Sequence, residues 1–411
     1  MPEQRDVQVC VVGAGPVGGA LACRLASAGI ATAIIDRAAL PPMEHPDFDG
    51  RAYAIAAGSR AVMQDSGLWD RLPYTPGPIT GIRVSDGKLG RPASPLFLHF
   101  DAAEIGDAPF GWMVEARSLR MALNAHMADL PNLHLFAPAK AAVQRGPDTA
   151  TIQIQGGPRI TARLVIAADG RRSALREQAG IPVTHLPYDQ TGIVCCIAHD
   201  VPHHGVALEH FLPGGPFAQL PMAATEAAPN VSAPNVSAIV WTERTAMAAH
   251  IMRLDEPRFI AELARRLGDH LGPLRLLGRR WSYPLSAMLV QRYTAPRLAL
   301  VGDAAHGIHP IAGQGLNLGF RDIAALANLL IAAHAGGEDL GAAALLRRYQ
   351  AARRPDNLLM LAATDTLDRL FSNDIPPLRL ARGLGIAAVH RIGPLKRMFM
   401  RRAMGALMAD G

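Results

Sequence analysis

The chain has 411 residues, of which 49% are apolar and 18% are charged, a balance that excludes an intrinsically disordered protein. At roughly 150 residues per domain, this length predicts two or three domains. The formal net charge is +6, and residues 378–411 carry seven basic side chains against one acid, an excess equal to that of the whole chain. The rest of the chain is balanced, so a nucleic-acid-binding surface is not expected, and an electrostatic partner would meet the tail.

The first 36 residues have the pattern of a βαβ unit of about 30 residues. An apolar, β-branched run, Val7–Val12, predicts a strand, and a glycine-rich turn follows it at residues 13–18. An Ala/Leu-rich helix comes next, and a second apolar strand, Ala31–Ile35, ends at Asp36.

The glycine-rich turn has the G-x-G-x-x-G spacing of a dinucleotide-binding fingerprint. Gly13 permits the tight turn, Gly15 lets the backbone approach a pyrophosphate, and Gly18 lets helix and strand pack closely. The helix that follows offers free N–H groups and the positive end of its dipole to the phosphates. Asp36 can accept hydrogen bonds from ribose hydroxyls and would repel a 2′-phosphate. FAD or NAD is therefore expected rather than NADP, and a tight turn without ligand is the alternative.

Helices and strands alternate over the following segments. Ser59–Leu68 predicts a helix, and Ile79–Phe100, rich in Gly and Pro, predicts antiparallel strands. Ser118–Leu130 has helical spacing, and Thr151–Ile154 and Leu164–Ala168 predict two further strands.

The second half of the chain changes character. Residues 193–285 alternate in short runs separated by turn residues, which predicts a second, mostly antiparallel sheet interrupted by one helix, Glu256–Leu267. Leu298–Val301 predicts a return to a buried strand, and a long helix starts near Gly313. The last 70 residues are predicted to be helical, and no run reaches the about 20 apolar residues of a membrane span.

These elements predict an α/β fold, in which a Rossmann-like nucleotide-binding domain carries an inserted, mostly antiparallel β-sheet substrate domain and a helical C-terminal region. The chain leaves the first domain, builds the second sheet and returns. The expected limits are 1–75, 105–180 and 286–340 for the nucleotide-binding domain, 76–104 and 181–285 for the substrate domain, and 341–411 for the C-terminal helices with their basic tail.

Two later segments favour FAD over NAD. The predicted strand at residues 298–301 leads into Gly302 and Asp303, and a carboxylate there can hold the hydroxyls of a ribityl chain, which nicotinamides lack. The segment from Pro310 to Asn317 opens the long helix, whose first N–H groups can stabilise negative charge on a reduced flavin. In an alternative role, the Asn317 side chain helps to satisfy that first helical turn.

The turn at 13–18, Asp169-Gly170 and Gly302-Asp303 together resemble the three fingerprints of the FAD-dependent aromatic hydroxylases, the single-component flavoprotein monooxygenases. A narrower resemblance, to the ubiquinone-biosynthesis hydroxylases, covers nearly the whole chain. Its most specific parts lie in the tail, because the three fingerprints alone also fit other flavin hydroxylases. The matching segments are residues 49–55, 303–322, 353–357, 364–365, 370–374 and 395–396.

The resemblance implies roles for single residues. Asp169 and Gly170 would serve the flavin pyrophosphate and a transient reductant, and Asp303 the ribityl and pyrophosphate region. Arg51 and Arg117 would contact the flavin or its diphosphate, although the residues alone favour a solvated or structural charge for each. The expected cofactor-binding residues are Gly13, Gly15, Pro16, Gly18, Asp36, Arg37, Arg51, Arg117, Asp169, Gly170, Gly302, Asp303, Pro310, Gly313, Gln314, Gly315 and Asn317.

The activity implied by the resemblance is that of an FAD-dependent aromatic-ring monooxygenase. It would use O2, with NAD(P)H as transient reductant, to hydroxylate a polyprenylated phenol intermediate of ubiquinone biosynthesis through a flavin C4a-hydroperoxide. The second sheet would exclude water from the reaction. Residues 211–221 within it resemble the strand that lines the substrate in this family, and a plain edge strand is the alternative.

The catalytic groups are less clear from the sequence. His309 is a candidate general base, and a satisfied histidine at the helix entry is the alternative. His306 and His309 lack a third ligand nearby, so no metal site is expected. Three other functions stay open: the same chemistry on a small soluble aromatic acid, a flavin reductase or dehydrogenase, and a non-catalytic subunit that binds FAD or lipid.

A substrate dissolved in a membrane would explain the basic and apolar composition of the C-terminal tail. Residues 395–408 mix apolar and basic side chains, as in a helix that lies on an anionic membrane surface. An ordinary docking helix and an interface within a multi-protein ubiquinone-biosynthesis complex are the alternatives. The four cysteines form no CxxC pair, which suits a reducing compartment. A cytoplasmic protein, peripheral on the inner face of the membrane, is expected.

Overall fold

The computed structural model of the protein describes residues 4–40, 49–87, 89, 97–224, 235–309, 311–372 and 392–403. Its strands are β1 (Gln4–Val12), β2 (Thr32–Ile35), β3 (Ala52–Ala56), β4 (Gly77–Ile79), β5 (Gly81–Asp86), β6 (Phe97–Asp101), β7 (Gly111–Glu115), β8 (Leu133–Phe136), β9 (Ala141–Arg145), β10 (Ala150–Ile154), β11 (Arg159–Ala167), β12 (Val183–His199), β13 (Val206–Leu212), β14 (Gly215–Met222), β15 (Asn235–Arg244), β16 (Leu274–Val290), β17 (Thr294–Ala295), β18 (Leu298–Leu300) and β19 (His306–Gly307). Its helices are α1 (Pro16–Ser27), α2 (Ala57–Asp65), α3 (Ala116–Asp129), α4 (Ala174–Gln178), α5 (Thr245–Ile251), α6 (Glu256–Leu267), α7 (Gln314–Ala335), α8 (Ala343–Phe371) and α9 (Gly393–Ala403).

The first sheet contains the βαβ unit predicted at the start of the chain. Its strand order is β17-β18-β11-β1-β2-β8, with β10 and β9 added beside β11. The five strands from β18 to β8 run parallel. Every residue of β2 is buried, as expected for a parallel sheet that is covered on both faces, and α1 packs against both α3 and α7. The predicted α/β class is confirmed.

The register of this sheet brings the predicted fingerprints to one edge. Val12 of β1 pairs with both Ile35 of β2 and Ala167 of β11, and Ala167 pairs in turn with Leu300 of β18. The residues that follow these strand ends are the glycine-rich turn, Asp36, Asp169 and Gly302. Ligands of parallel sheets bind at this carboxyl edge, so the sheet assembles the fingerprints where a dinucleotide can reach all of them.

The second sheet has the order β19-β16-β12-β15-β14-β13-β5-β6 and is antiparallel except for the β5–β13 pair. Helices α5 and α6 cover one face, where Trp241 and Phe259 are fully buried. The predicted helix Glu256–Leu267 coincides with α6, whose N-cap Asp255 accepts a hydrogen bond from the Arg258 N–H. Helix α5 was not predicted, because it is short and has no side-chain N-cap.

A third sheet, β3-β7-β4, lies outside the predicted elements. The segment that forms β3 reads Ala-Tyr-Ala-Ile-Ala, and alanine favours helices when propensity alone is considered. Pairing with β7 along its whole length overrides that propensity. The consequence for function is that β3 and its three alanines are held beside the start of α7.

The C-terminal region is helical where it is described. Helix α7 is long and apolar enough to span a membrane by length and composition, contrary to the expectation that no segment would be. It packs against α1 and α8, with Leu318, Phe320 and Ile323 completely buried, so it serves as a core helix. Helix α9 docks on the second sheet's side, where Met400 joins the cluster of Ile79 and other apolar residues. The basic residues at 379, 382 and 391 lie outside the described part.

Candidate active site

A cavity of about 940 Å³ joins the carboxyl edge of the first sheet to one face of the second sheet. At the first-sheet end, its lining includes Gly15, Gly170, Asp303 and Gly315. At the other end, strands β5 and β12 to β16 of the second sheet contribute to the lining. One space therefore touches both the dinucleotide fingerprint and the second sheet, as a redox cofactor and a second reactant require.

The glycine-rich turn is a cradle for a bulky group. Gly13 has φ +107°, and a Cβ there would collide with the carbonyl of Ala168. A Cβ on Gly18 would collide with the Gly13 carbonyl oxygen, so both glycines are required for the packing of the turn. By contrast, a Cβ on Gly15 would meet nothing within 4 Å, because that side faces the cavity. With Gly15 as N-cap, α1 begins at Pro16 and points its first N–H groups toward this space.

Asp36 and a buried arginine hold the turn in shape. Asp36 Oδ2 accepts from the Ala14 N–H at 2.7 Å, and its Oδ1 accepts from the Ala38 N–H at 2.8 Å. Arg37 is exposed. From the other side, the Arg120 guanidinium donates to the Ala14 carbonyl at 2.6 Å. Arg120 was not among the predicted site residues; the signal was a cationic residue among the apolar residues of the predicted helix over 118–130.

The Asp169 segment has an unpartnered acceptor. Asp169 Oδ1 is buried and has no hydrogen-bond partner among the described residues, while Oδ2 accepts weakly from the Leu175 N–H at 3.4 Å. Gly170 follows with φ +81° and open space where a Cβ would lie. Next, Arg171 donates to Ser286 Oγ at 2.9 Å and lies 3.5 Å from the carboxylate of Asp303. An unsatisfied buried acceptor beside a glycine cradle fits a bound group that supplies the donor.

The start of α7 offers a second cradle. Gly313, with φ +61°, is its N-cap, and a Cβ on Gly315 would meet nothing within 4 Å. The Asn317 side chain, however, is turned to the protein: its Oδ1 accepts from the Ala56 N–H, and its Nδ2 donates to the carbonyls of Ala54 and Gly313. Both of its polar groups tie β3 to α7, which fits the alternative role of Asn317 in the first helical turn, and its contact with the cofactor stays a prediction. Pro310 lies outside the described residues.

The wall contributed by the second sheet is mainly apolar. Because side chains alternate along a strand, β14 and β15 turn one set of residues to the cavity and the other to α5 and α6. The cavity side carries small and aliphatic residues, with Thr242 of β15 and Glu209 of β13 as polar exceptions on these strands. The aliphatic lining residues include Val194, Ala218, Leu220, Ala238, Val240 and Leu285.

The comparisons with known proteins agree with this site. A family profile described as FAD binding domain matches residues 6–363. The chain is 50% identical to ubiquinone hydroxylase UbiL of Rhodospirillum rubrum, over 97% of this chain and 90% of that protein. It is 34% identical to 3-demethoxyubiquinol 3-hydroxylase of Escherichia coli, over 98% and 99% of the two chains. The chain belongs to the FAD-dependent ubiquinone-biosynthesis hydroxylase family. The predicted family is thereby confirmed.

A solved structure supports the fold of this hydroxylase family member. The chain superposes on p-nitrophenol 4-monooxygenase PnpA of Pseudomonas putida DLL-E4 with a TM-score of 0.75, covering 98% of both chains at 20% identity. At that identity, the similarity establishes the fold alone. It agrees with a nucleotide-binding sheet followed by an inserted second sheet and C-terminal helices.

A buried ionic network fixes the Gly302 loop in this hydroxylase. Asp322 of α7 accepts from the Gly302 N–H at 2.9 Å and contacts His306 Nε2 at 2.6 Å through the same oxygen. Its other oxygen accepts from Arg353 of α8 at 2.8 Å, and Arg353 also donates to Asn357. Burial by itself would raise the pKa of Asp322, but His306 and Arg353 outweigh it and lower the pKa to about 2. The tail motif at 353–357 thus has a structural role that the sequence did not reveal.

His309 does not reach the cavity, which corrects its prediction as a general base. Its side chain is fully buried, with Nε2 3.1 Å from Gln190 Oε1 and 3.6 Å from the Asp368 carboxylate. Its ring also packs edge-on against Tyr188. Burial lowers the pKa of His309 despite the nearby acid. This histidine therefore links the segment before α7 to α8. Within the described residues, no group of His, Cys, Asp and Glu side chains could hold a metal ion.

Arg51 and Arg117 are each held by a neighbouring carboxylate. Arg51 donates to Asp49 at 2.7 Å, and its guanidinium lies 4.8 Å from the centre of the Trp281 ring. Arg117 is buried and donates to Glu115 at 2.6 Å. Neither residue lines the cavity. These contacts fit the structural alternative, and a contact of either arginine with FAD stays a prediction.

Proposed function

We propose that this protein hydroxylates the aromatic ring of a polyprenylated phenol in ubiquinone biosynthesis, using FAD, O2 and NAD(P)H. The observation that carries the proposal is the single cavity that connects the glycine cradles to an apolar wall. The printed names of two relatives, a ubiquinone hydroxylase and a 3-demethoxyubiquinol 3-hydroxylase, support the substrate class.

The residues of the first sheet would hold FAD. Gly13, Gly15, Pro16 and Gly18 would bind the diphosphate through backbone N–H groups, and Asp36 the adenosine ribose. Asp169, Gly170, Gly302 and Asp303 would serve the ribityl and diphosphate region, and Gly313, Gln314 and Gly315 the edge of the ring. When bound, the flavin supplies the activation of dioxygen for ring hydroxylation.

The second sheet would bind the substrate and keep water away from the reaction. Its aliphatic wall suits a prenylated ring, and burying such a ring removes water from the reacting oxygen. A small aromatic acid would need a cation near its carboxylate, and the described lining residues of β12 to β15 include no Lys, Arg or His. The wall therefore favours a phenol without an acid group.

The cysteines do not suit thiol-based redox chemistry. All four are buried and free, and burial raises the pKa of Cys10 and Cys195 to about 12. A thiolate is the reactive form, so none is available for disulfide exchange. This supports a monooxygenase over a disulfide-linked reductase, working in a reducing, cytoplasmic compartment.

We also propose that α9 lies on an anionic membrane surface near the store of substrate. On its inner side, Lys396 pairs with Glu104 at 2.6 Å, and Met400 is buried. Its outer side exposes Arg397, Met398 and Arg401. Basic residues beside an exposed apolar one are what an anionic surface attracts.

Vesicle pelleting distinguishes membrane binding by α9 from a role as a docking helix. The full chain should pellet with phosphatidylglycerol vesicles and far less with phosphatidylcholine, and Arg397→Ser with Arg401→Ser should release it. Unchanged pelleting of the double variant would leave α9 as a docking helix or an interface with a biosynthetic complex.

Complementation tests the function itself. Bacterial strains that each lack one ring hydroxylase of ubiquinone biosynthesis would express this protein, and their quinone intermediates would be measured by mass spectrometry. Rescue of one strain, with loss of its accumulated intermediate, is expected and identifies the ring carbon. Failure to rescue any strain, from protein purified with bound flavin, would contradict the proposed substrate.

A further inference from the structure

A single carboxyl group interrupts the apolar wall of the second sheet. Glu209 lies in the middle of β13, where it pairs with Ala218 of β14 on one side and Val84 of β5 on the other. Of its neighbours along the strand, Leu208 packs in the cluster under α5 and α6, although it also borders the cavity, and His210 lies 2.8 Å from Ser85 Oγ. Alternation therefore turns the Glu209 side chain to the cavity, whose lining includes it.

Among the buried and half-buried glutamates of the described chain, Glu209 differs in lacking a counter-charge. Glu104 pairs with Lys396, Glu115 with Arg117, and Glu243 and Glu262 with Arg266. In the described ranges of the chain, the Glu209 carboxylate has no ion pair and no hydrogen bond. An unpaired carboxylate in an apolar wall costs stability, and its position in a cleft marks it as a candidate functional group.

Resting on the proposed function, we propose that Glu209 is a catalytic residue that binds the phenolic hydroxyl of the substrate and accepts its proton. The O–H bond of the phenol breaks, the proton moves to a Glu209 carboxylate oxygen, and the electron pair stays on the phenol oxygen. The negative charge raises electron density at the ring carbons ortho and para to that oxygen. One oxygen atom of dioxygen then bonds to a ring carbon, whose hydrogen leaves as a proton, and the two electrons of the reduced dinucleotide reduce the other oxygen atom to water. Glu209 returns its proton to the phenol oxygen of the product.

The environment of Glu209 suits this proton transfer. Burial raises the pKa of Glu209 to about 7, closer to that of a phenol, about 10, than an ordinary carboxyl at about 4. Directly opposite Glu209 on the two flanking strands are Val84 of β5 and Ala218 of β14, neither of which titrates. The titratable residue on this face of β5 is Asp86, two positions beyond Val84 and opposite Phe211. At pH 8, most of the carboxyl is ionised and ready to accept a proton.

Other polar groups of the cavity are poor candidates. Thr242 is a neutral alcohol, and burial raises the pKa of Tyr283, so neither accepts a proton near neutral pH. Asp303, Arg171 and Arg172 line the first-sheet end, where FAD would lie. His309 is fully buried and is not among the residues that line the cavity.

Glu209→Gln tests the proposal in the full, flavin-loaded protein. The substrate probe is 2-geranylphenol, and product formation gives kcat and KM across pH 5.5 to 9. For the wild type, kcat should rise with pH through a midpoint near 7. Glu209→Gln should lower kcat about 10²-fold and abolish that midpoint. Glu209→Asp should keep the pH dependence at a lower rate. The control Glu256→Gln, the same change on the exposed surface of α6, should resemble the wild type.

A second probe separates proton transfer from folding and packing. A difluorinated 2-geranylphenol ionises more readily, so the deficit of Glu209→Gln should shrink at least tenfold with it. Flavin content and thermal melting show whether each variant is folded; if Glu209→Gln fails to fold, Glu209→Asp carries the test through its retained pH midpoint. An unchanged kcat and pH profile in Glu209→Gln, or no rescue by the fluorinated phenol, would overturn the proposal.

Binding measurements distinguish a failure of the Glu209 proposal from a failure of the proposed function. Flavin absorbance reports the binding of 2-geranylphenol and of its methyl ether, which has no proton to give. The wild type should prefer the phenol, and Glu209→Gln should lose most of that preference. If the wild type binds but hydroxylates neither probe, the proposed function fails alone; equal affinity for phenol and ether in the wild type would overturn the role of Glu209.

Discussion

The two ends of the cavity are built in opposite ways. At the first-sheet end, backbone groups at residues 13–18, 302–303 and 313–315 face the cavity or shape it, and the polar side chains behind them, Asn317 and Asp322, are saturated by the protein. The second-sheet end is made of side chains from six strands, and its one carboxylate is unpaired within the described chain. A cofactor site thus depends on glycine spacing and a rigid support, whereas a substrate site depends on which small set of side chains faces inward.

The largest effect is expected from the support of the cofactor end. Asp322→Asn removes the charge that faces Arg353, whose side chain is completely buried. Breaking a buried ion pair costs about 3–5 kcal/mol, so the free energy of unfolding in urea should fall by that amount, with loss of bound FAD. Asp65→Asn, which breaks an exposed pair with Arg24, is the control and should cost less than about 1 kcal/mol. Equal costs for the two variants would refute a rigid support.

The pH dependence of the unfolding free energy tests whether the charge of Asp322 holds the network. The folded-state pKa of Asp322 is about 2, below the usual value near 4, so its contribution is complete above pH 4 and is lost as the pH falls toward 2. The contribution is about 2–3 kcal/mol at neutral pH. The difference in unfolding free energy between the wild type and Asp322→Asn should therefore stay constant down to about pH 4 and narrow as the pH falls from there toward 2. A difference that stays constant over that fall would mean that packing, and not charge, holds the network.

Two neighbouring glycines separate folding from cofactor binding. Gly15→Ala places a methyl group in the cradle, where no protein atom lies within 4 Å, so the protein should fold normally and bind FAD about tenfold more weakly, a cost of about 1.4 kcal/mol. Gly13→Ala is the matched change: its φ is +107° and the methyl collides with Ala168, so stability itself should fall. Fluorescence titration of FAD and urea unfolding measure the two quantities. A stability loss in Gly15→Ala as large as that in Gly13→Ala would contradict the division of roles.

The smallest effect is expected at the substrate wall. Ala218→Leu fills part of the apolar end, so KM for a prenylated phenol should rise about fivefold, near 1 kcal/mol, while FAD affinity stays unchanged. Ala218 lies opposite Val240 of β15, far from the glycine cradles. A change in FAD affinity without a change in KM would place the cofactor against this wall instead.

The contrast between the two ends also explains what the sequence could predict. The βαβ unit, the strand before Gly302 and the helix Glu256–Leu267 follow local rules of spacing, capping and burial, and each was found. Sheet β3-β7-β4 was missed because pairing between distant segments overrides the helical propensity of its alanines.

The role of a single side chain depends on contacts between distant parts of the chain. His309 contacts Gln190 and Asp368, and Asn317 contacts Ala54, and nothing in their local sequence reveals these partners. Glu209 is one residue in a short strand, and its importance emerges only when β5 and β14 flank it with apolar neighbours. Cofactor motifs are local in sequence, whereas the substrate wall is assembled from strands far apart.

The central claim is that the cavity brings FAD and a prenylated phenol together for ring hydroxylation. The most direct measurement is turnover of 2-geranylphenol by the purified, flavin-loaded protein with NAD(P)H under isotopically labelled dioxygen, followed by mass spectrometry of the product. The account predicts one labelled oxygen atom on the aromatic ring per molecule of product. Oxidation of NAD(P)H that yields hydrogen peroxide and leaves the ring unlabelled would contradict it.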